Sequence, residues 1–361
     1  MGYLLALESS CDESAVAVVD LETGQPSSSV VFSQIDLHRR YGGVVPEIAS
    51  RDHLRRMPGV LEEALEEAGI GWNSIEVVAA TRGPGLATSL LVGWTMAKGI
   101  AASLGVPLIG VNHLVGHLAS LALSPRMPEG ALQQADPLKA CGPMVVLLVS
   151  GGHTALVRMN GLGKRTLLGQ TLDDAAGEAY DKVAKILELG YPGGPIVDRL
   201  AQEGNPKAVR LPRSFLDTGT PDEHRFNFSF SGLKTAVLYH VRKHPERYLG
   251  GKEPSADVKD LCASFQAAVV DVLVEKLLDA ARAESVSWIG AGGGVSLNRG
   301  LRERLQQSAE AKGLGLLLAP AGVCTDNALM IGLAARTQFL HGCRTAEQED
   351  VDPVLSLKAM A

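Results

Sequence analysis

The sequence predicts an α/β fold made of two similar halves, each opened by a β-hairpin. Three observations carry this expectation. Strand-length apolar runs alternate with helix-length stretches along nearly the whole chain. A strand–polar turn–strand unit occurs twice, over Tyr3–Val19 and Met144–Met159. Glycine is abundant, 40 of 361 residues, and aromatics are only 4%, which suits close-packed strand–turn–helix units better than a β-sandwich.

The elements follow in order. Strand Tyr3–Leu7 enters the polar turn Glu8–Ser14, and strand Ala15–Val19 returns from it to Leu21-Glu22-Thr23-Gly24. A helix is expected from about Pro46 to Ala68, with Ile48, Leu54, Met57, Val60, Leu61 and Leu65 at helical spacing. Strand Ile75–Ala80 meets the breaker cluster Thr81-Arg82-Gly83-Pro84-Gly85 before a helix from Leu86. Strand Pro107–Val111 leads into Asn112-His113-Leu114-Val115-Gly116-His117 and another helix. The Pro-, Gln-, Gly- and Asp-rich stretch 124–143 is the expected boundary between lobes, giving lobe I as 1–136 with 325–361 and lobe II as 137–324. The second hairpin, Met144–Val149 and Ala155–Met159, brackets Ser150-Gly151-Gly152-His153-Thr154. Later, strand Ser287–Gly290 enters Ala291-Gly292-Gly293-Gly294 and a helix, and strand Gly315–Ala319 precedes Cys324-Thr325-Asp326-Asn327 and a last helix to about Phe339.

Composition excludes several classes. Hydrophobic residues at 46% and charged residues at 20% rule out a disordered or fibrous chain. Five cysteines (Cys11, Cys141, Cys262, Cys324, Cys343) are scattered and contain no CxxC, against a disulfide framework or a zinc ribbon. They read as reduced cytoplasmic thiols. The N-terminus agrees: an acid at Glu8 precedes any apolar h-region, and Ala6 stands where a myristoylation signal needs Ser or Thr. The longest apolar region, Leu86–Val111, is broken by Lys98, Gly99, Gly105 and Pro107, so no membrane partner is expected. A net charge of −6 excludes a polycationic nucleic-acid coat, so a nucleic-acid partner needs a local patch. The densest basic cluster is His38-Arg39-Arg40 with Arg51-Asp52-His53-Leu54-Arg55-Arg56, and a solvated helix face is its plain alternative.

Single motifs are open to two readings each. His113 and His117, four apart at a helix start, share one face and can hold a metal ion together, or they are two surface histidines. A His-Glu-x-x-His protease is excluded because Leu114 stands where that mechanism needs its glutamate. Ser150-Gly151-Gly152 lets backbone N–H groups approach a phosphate, or is simply a tight turn. The glycines at 292–294 before a helix are a better nucleotide contact, although they do not form a dinucleotide fingerprint. Asp326 reads by default as a helix N-cap, and the carboxylates over 173–181 as a dipole effect at a helix entry.

Taken together the motifs resemble one family. They are Leu7-Glu8-Ser9-Ser10-Cys11-Asp12-Glu13-Ser14, Gly42–His53, Gly83-Pro84-Gly85-Leu86, Asn112-His113 with His117, Val149–Thr154, Leu172–Lys182, Tyr191–Pro195, Phe228–Thr235, Gly293–Asn298 and Cys324–Ala328. In this order and spacing, from about Tyr3 to Thr337, they are similar to the bacterial TsaD family, the catalytic subunits that form threonylcarbamoyladenosine in tRNA. One departure is Leu114-Val115-Gly116, where many bacterial relatives carry an acidic residue.

The resemblance implies two duplicated actin-like ATPase (ASKHA) lobes, with mixed sheets around a nucleotide cleft. It implies that His113, His117 and Asp326 bind one divalent metal, Fe2+ first and Zn2+ or Mn2+ as alternatives, ligand type alone not deciding between them. It places the adenylate on Leu148, Val149, Ser150, Gly151, Gly152, Asp181, Gly194, Asp198 and Asn298, where ATP or AMP would also fit. The implied reaction moves threonylcarbamoyl from threonylcarbamoyl-AMP to N6 of adenosine 37 in tRNAs reading ANN codons and releases AMP. Asp12 and Glu13 are the candidates for positioning or deprotonating the attacking amine, with turn chemistry as their alternative. Implied partners are the tRNA, the paralogous subunit TsaB, the small ATPase TsaE and an upstream threonylcarbamoyl-AMP synthase. A small-molecule kinase of the same superfamily would have no reason to keep the His/His/Asp set, and a scaffold subunit would be expected to lose it.

Overall fold

The computed structural model describes residues 2–216, 221–251, 253–346 and 348–357. The chain divides into two compact units, one of Met1–Gly142, Met159–Arg165 and Ala319–Ala361, the other of Pro143–Arg158 and Thr166–Leu318. Residues 137–142 and 319–324 therefore belong with the first unit. So does the turn after Met159, whose Leu162 N–H donates to Asp136 Oδ2 at 2.7 Å.

The first unit contains β1 (Tyr3–Glu8), β2 (Glu13–Asp20), β3 (Pro26–Ser33), α1 (Ile35–Arg39), α2 (Pro46–Ala68), β4 (Ile75–Gly83), α3 (Ala87–Leu104), β5 (Leu108–Asn112) and α4 (His113–Ala119). The second contains β6 (Met144–Val149), β7 (Thr154–Met159), β8 (Arg165–Gln170), α5 (Ala176–Ile186), α6 (Gly193–Ala201), α7 (Ser231–Lys243), α8 (Pro245–Tyr248), α9 (Ala256–Ala283), β9 (Trp288–Gly292), α10 (Arg299–Lys312) and β10 (Gly315–Leu318). The chain then returns to the first unit through α11 (Ala328–Leu340).

Each unit is built on one five-stranded mixed sheet, and the two sheets share a topology. The first runs β3-β2-β1-β4-β5 and the second β8-β7-β6-β9-β10, so both follow the order third, second, first, fourth, fifth. In the first sheet β1 pairs antiparallel with β2 and parallel with β4, and β4 pairs parallel with β5. In the second, β9 is parallel to both β6 and β10.

Strand alternation decides what each face buries. Leu5, Leu7, Val16 and Val18 point into a core closed by Met57, Leu61 and Leu65 of α2 and by Trp94 and Ala97 of α3. The opposite face, with Leu4, Ala6 and Val19, lies against α11 at Gly332. Because both faces are covered, the strands read as near-continuous apolar runs. In the second unit Val145, Leu147 and Val149 pack with α5 and α9. The motif pattern passes over 256–283, yet that segment forms the longest described helix, α9, with apolar residues buried along its whole length. The strands β3 and β8 are likewise additional to the hairpins read from the sequence.

Arg336 on α11 fastens the first unit from within. Its buried guanidinium donates to the carbonyls of Leu21 and Glu22 at the end of β2, and to those of Leu132, Gln133 and Gln134, at 2.8–3.3 Å. Arg336→Met leaves five carbonyls without their donor and is expected to cost about 2–4 kcal/mol in urea unfolding. A loss below about 1 kcal/mol would show that water replaces the guanidinium freely.

Candidate functional site

The parallel strands β1, β4 and β5 end at the same edge of the first sheet, and residues at their carboxyl ends build the site. Carboxyl ends of parallel strands are where open α/β sheets place ligands. β1 contributes Glu8, β4 contributes Thr81, and β5 ends in Asn112, the N-cap of α4. The Asn112 Oδ1 accepts the N–H groups of Leu114 and Val115 at 2.9 and 3.3 Å. This starts α4 with His113 as its first residue and puts His117 one turn later on the same face. The two imidazoles meet edge to face with centroids 4.7 Å apart.

Asp326 arrives from the turn before α11. It is not that helix's cap: Asn327 takes the role, its Oδ1 accepting Met330 N–H at 2.9 Å. Freed from capping, Asp326 turns its Oδ1 to His113 Nε2 at 3.4 Å and His117 Nε2 at 3.2 Å. The three ligand atoms lie within 4.8 Å of one another.

Behind His113 stands Glu8, which sequence reasoning did not single out as a site residue. It is only 1% exposed. Its carboxylate receives Thr81 Oγ1–H at 2.7 Å and the Ser10 N–H, and lies 3.0 Å from His113 Nδ1. A carboxylate only accepts, so Nδ1 carries the proton and Nε2 faces Asp326. The signal available in the sequence was a charged residue completing an otherwise apolar strand.

Electrostatics follow from this packing. Burial works against each charge, and the mutual contacts outweigh it. His113 is held well above the usual imidazole range by Asp326 and Glu8, while the His113 charge pulls Glu8 and Asp326 below the usual carboxylate range. His117 is wholly buried, and neither of its ring nitrogens has an aligned hydrogen-bond partner among the described residues. Two clustered imidazoles, one orphaned, with a carboxylate between them fit a divalent metal and leave coordination positions open.

The first hairpin tip lies beside this set. Burial, then the charges of Asp326 and Asp12, push the Glu13 carboxyl well above its ordinary value, and burial with the Asp12 and Asp326 charges raises the Cys11 thiol. The tip is braced by buried His53, whose Nε2 lies 3.1 Å from the Cys11 carbonyl and whose Nδ1 lies 2.7 Å from Ser14 Oγ. Asp12 is buried, and its carbonyl accepts Gln34 N–H at 2.9 Å.

The nine adenylate candidates all fall in the second unit. Leu148 and Val149 are buried at the end of β6, and Ser150 N–H closes the turn on His153 O at 2.8 Å. Gly151 and Gly152 are open on their side-chain positions, whereas Gly177 of α5 presses on the Ser150 carbonyl, where a Cβ would come within 2.6 Å. Asp181 accepts the Gly193 N–H at 2.7 Å, and Gly194 follows as an open position in α6. Burial raises the Asp181 carboxyl despite the N–H groups of Gly193 and Gly194. Asp198 accepts Gln266 Nε2–H at 3.0 Å. Asn298 caps α10 through Leu301 N–H and donates to Gln266 Oε1 at 2.6 Å. Gln266 and Tyr180, whose hydroxyl accepts Asn298 Nδ2–H at 3.3 Å, belong to this network without having been anticipated.

The basic cluster is altered by burial. His38 is fully buried, its Nδ1 accepting Val45 N–H at 3.2 Å, and His53 and Asp52 are buried as well. The exposed cations are Arg39, Arg40, Arg51, Arg55 and Arg56, of which Arg56 stacks on Phe32 and Arg39 pairs with Asp36. Among the described residues no helix is long and apolar enough to cross a membrane.

Two five-stranded mixed sheets of one topology define a duplicated actin-like ATPase fold. Solved structures agree on the fold. Component A of the Acidaminococcus fermentans (R)-2-hydroxyglutaryl-CoA dehydratase is similar at TM-score 0.50 and 16% identity, over 94% of this chain and 99% of that one. Full-length HypF in its phosphate- and nucleotide-bound form is similar at TM-score 0.56 and 14% identity, over 94% of this chain and 47% of that one. The family model for TsaD, tRNA N6-adenosine threonylcarbamoyltransferase, matches residues 27–333. A tRNA N6-adenosine threonylcarbamoyltransferase of Geobacter sp. (strain M21) is 48% identical over 358 residues, 99% of this chain and 97% of that protein. The chain belongs to the TsaD family and is a transferase of tRNA modification.

The site makes stability depend on pH with two signs. His113, raised above its ordinary 6.5, contributes stability that is complete below that value and is lost as pH climbs through the raised one. Glu8, lowered from 4.5, contributes stability that is present above that value and is lost as pH falls. In EDTA, wild type should therefore exceed Glu8→Gln in urea stability most between pH 4.5 and 6.5, with the gap narrowing toward alkaline pH. A gap that widens as pH rises above 6.5 would contradict the pairing.

Proposed function

We propose that the chain transfers the threonylcarbamoyl group of threonylcarbamoyl-AMP to N6 of adenosine 37 in tRNAs reading ANN codons, releasing AMP. The observation that carries this reading is the convergence of His113, His117 and Asp326 in a chain of this family, with Glu8 buried behind them. These three residues would hold one divalent metal, with Fe2+, Zn2+ and Mn2+ all compatible with the donor set. When bound there it would neutralise the phosphate leaving group and help orient the acyl group.

The remaining work falls to the chain's own side chains. N6 forms a bond to the carbamoyl carbon, the mixed-anhydride C–O bond breaks, AMP leaves with the electron pair, and one N6 proton is lost. Asp12 and Glu13 are assigned to orienting that amine and accepting its proton, because the tip that carries them faces Asp326. The turn Leu148–Gly152 with Gly194 supplies close backbone approach to the adenylate, and Asp181, Asp198 and Asn298 supply groups for its ribose and base. Asp181 and Asn298 are already engaged by α6 and α10, so binding would exchange or share those hydrogen bonds. The exposed arginines 39, 40, 51, 55 and 56 are assigned to tRNA phosphates, which position the RNA and make affinity fall with salt. The proposed assembly includes TsaB, TsaE and a synthase that delivers the adenylate, in the cytoplasm.

The test is in vitro modification of an unmodified ANN-decoding tRNA transcript with the synthase and partner subunits, read by mass spectrometry of digested nucleosides. Wild type should form threonylcarbamoyladenosine, the His113→Ala/His117→Ala variant should form none, and Asp12→Asn or Glu13→Gln should slow the reaction by about 10²-fold. Wild-type protein that makes no product with partners proven on another catalytic subunit would replace the transferase reading by a scaffold. Undiminished product from the double histidine variant would remove the metal from the reaction.

A further inference from the structure

The segment 349–356 lies outside every family motif quoted above and outside the matched span 27–333, yet it runs against the strand ends that build the site. It begins at an anchor: the Glu349 carboxylate pairs with Arg82, and Lys98 Nζ donates to the Glu349 carbonyl at 2.6 Å. Arg82 Nε also donates to the Asp350 carbonyl at 3.0 Å. The segment then follows the loop after β4, with Asp352 N–H on the Arg82 carbonyl at 2.9 Å and Gly85 N–H on the Pro353 carbonyl at 3.2 Å. Its approach at Gly83 is so close that a Cβ there would land on the Asp352 carbonyl. It ends over Asn112, whose Nδ2 donates to the carbonyls of Leu355 and Ser356 at 3.3 and 3.2 Å.

Asn112 is wholly buried and divides its amide between two tasks. The Oδ1 starts α4, and the Nδ2 takes hold of the segment. A fixed amide plane means that the direction of the first turn of α4, hence of His113 and His117, depends on where the Leu355 and Ser356 carbonyls stand. The same segment braces the other side of the site. The loop it grips carries Leu86, whose N–H holds the Ser10 carbonyl at 2.8 Å, and Ser10 Oγ lies 3.1 Å from His113 Nδ1.

We propose that residues 349–356 are a positioning strap for the histidine pair, acting through Asn112. The proposal rests on the reading of His113, His117 and Asp326 as metal ligands, and it assigns the ligand geometry to a segment that contains no ligand.

Two substitutions in the full-length protein test it. Asn112→Asp keeps an oxygen for the Leu114 and Val115 amides, and aspartate caps helices as well as asparagine does, but its second oxygen faces two carbonyls. Gly83→Ala lifts the strap at Asp352 and leaves Asn112 intact. Three readouts are taken: amide exchange across 349–356, the imidazole 15N resonances of His113 in metal-free protein, and Co2+ affinity with its visible spectrum. Both variants should release the strap amides, move the His113 resonances, weaken Co2+ binding about 10–100-fold and change the band pattern of the bound ion. Faster strap exchange with unmoved His113 resonances and a wild-type Co2+ spectrum and affinity in both variants would overturn the proposal. Should wild-type protein take up no Co2+, the ligand reading fails by itself. The His113 resonances then decide the strap: moved in both variants they support it, unmoved they overturn it.

Discussion

A carboxylate buried at the end of β1 is the constraint on which the rest of the first unit's site depends. Removing Glu8 from water carries a large penalty that only full satisfaction offsets. Thr81 from β4, the Ser10 amide from the hairpin turn and His113 from α4 provide it. Each comes from a different element, so the charge is tolerated only when β1, β4 and the β5–α4 junction are in register. Once the carboxylate is satisfied, the His113 ring has one orientation left, with Nε2 toward Asp326 and His117. The geometry of the proposed ligand set is thus a consequence of desolvation as much as of residue identity.

The two units repeat one sheet topology but put different chemistry at their strand ends. In the first, the ends of the parallel strands carry Glu8, Thr81 and Asn112, all buried and polar. In the second, β6 terminates in the open turn Ser150-Gly151-Gly152, and β9 runs to Gly292. Imidazoles and carboxylates gather at the first edge, and the exposed glycines 151 and 152 stand at the second. A duplicated fold can therefore present different chemistry at its two sets of strand ends from the same backbone plan. Function is read from those edge residues rather than from the sheets, which the dehydratase component and HypF share at 14–16% identity.

Much of this was legible in the residues. The helix Pro46–Ala68 announces both its ends, and the two hairpins follow from β-rich runs around polar turns. The pair His113 and His117 follows from helical spacing alone. What spacing could not show is where long-range partners stand. Asp326 looks like a cap in a linear sequence; the family resemblance moved it to the metal set, and the structure gives the capping role to Asn327. His38 and His53 read as part of a basic surface, yet both are buried and hold backbone in place. Helix α9 was passed over because none of the quoted motifs falls on it, although Asp271, Glu275 and Asp279 recur every four residues along its less buried side. Glu8 and Asn112 lay within quoted motifs, but their roles depend on contacts more than 70 residues away in sequence.

The central claim is that a buried carboxylate fixes two imidazoles and Asp326 into one divalent-metal site. X-ray absorption on Co2+-loaded protein tests it most directly, because imidazole rings add a recognisable outer-shell scattering pattern. The account predicts one ion per chain with two imidazole nitrogens and oxygen donors completing the shell. A spectrum showing only oxygen neighbours, or one that is unchanged in a protein lacking both His113 and His117, would contradict it.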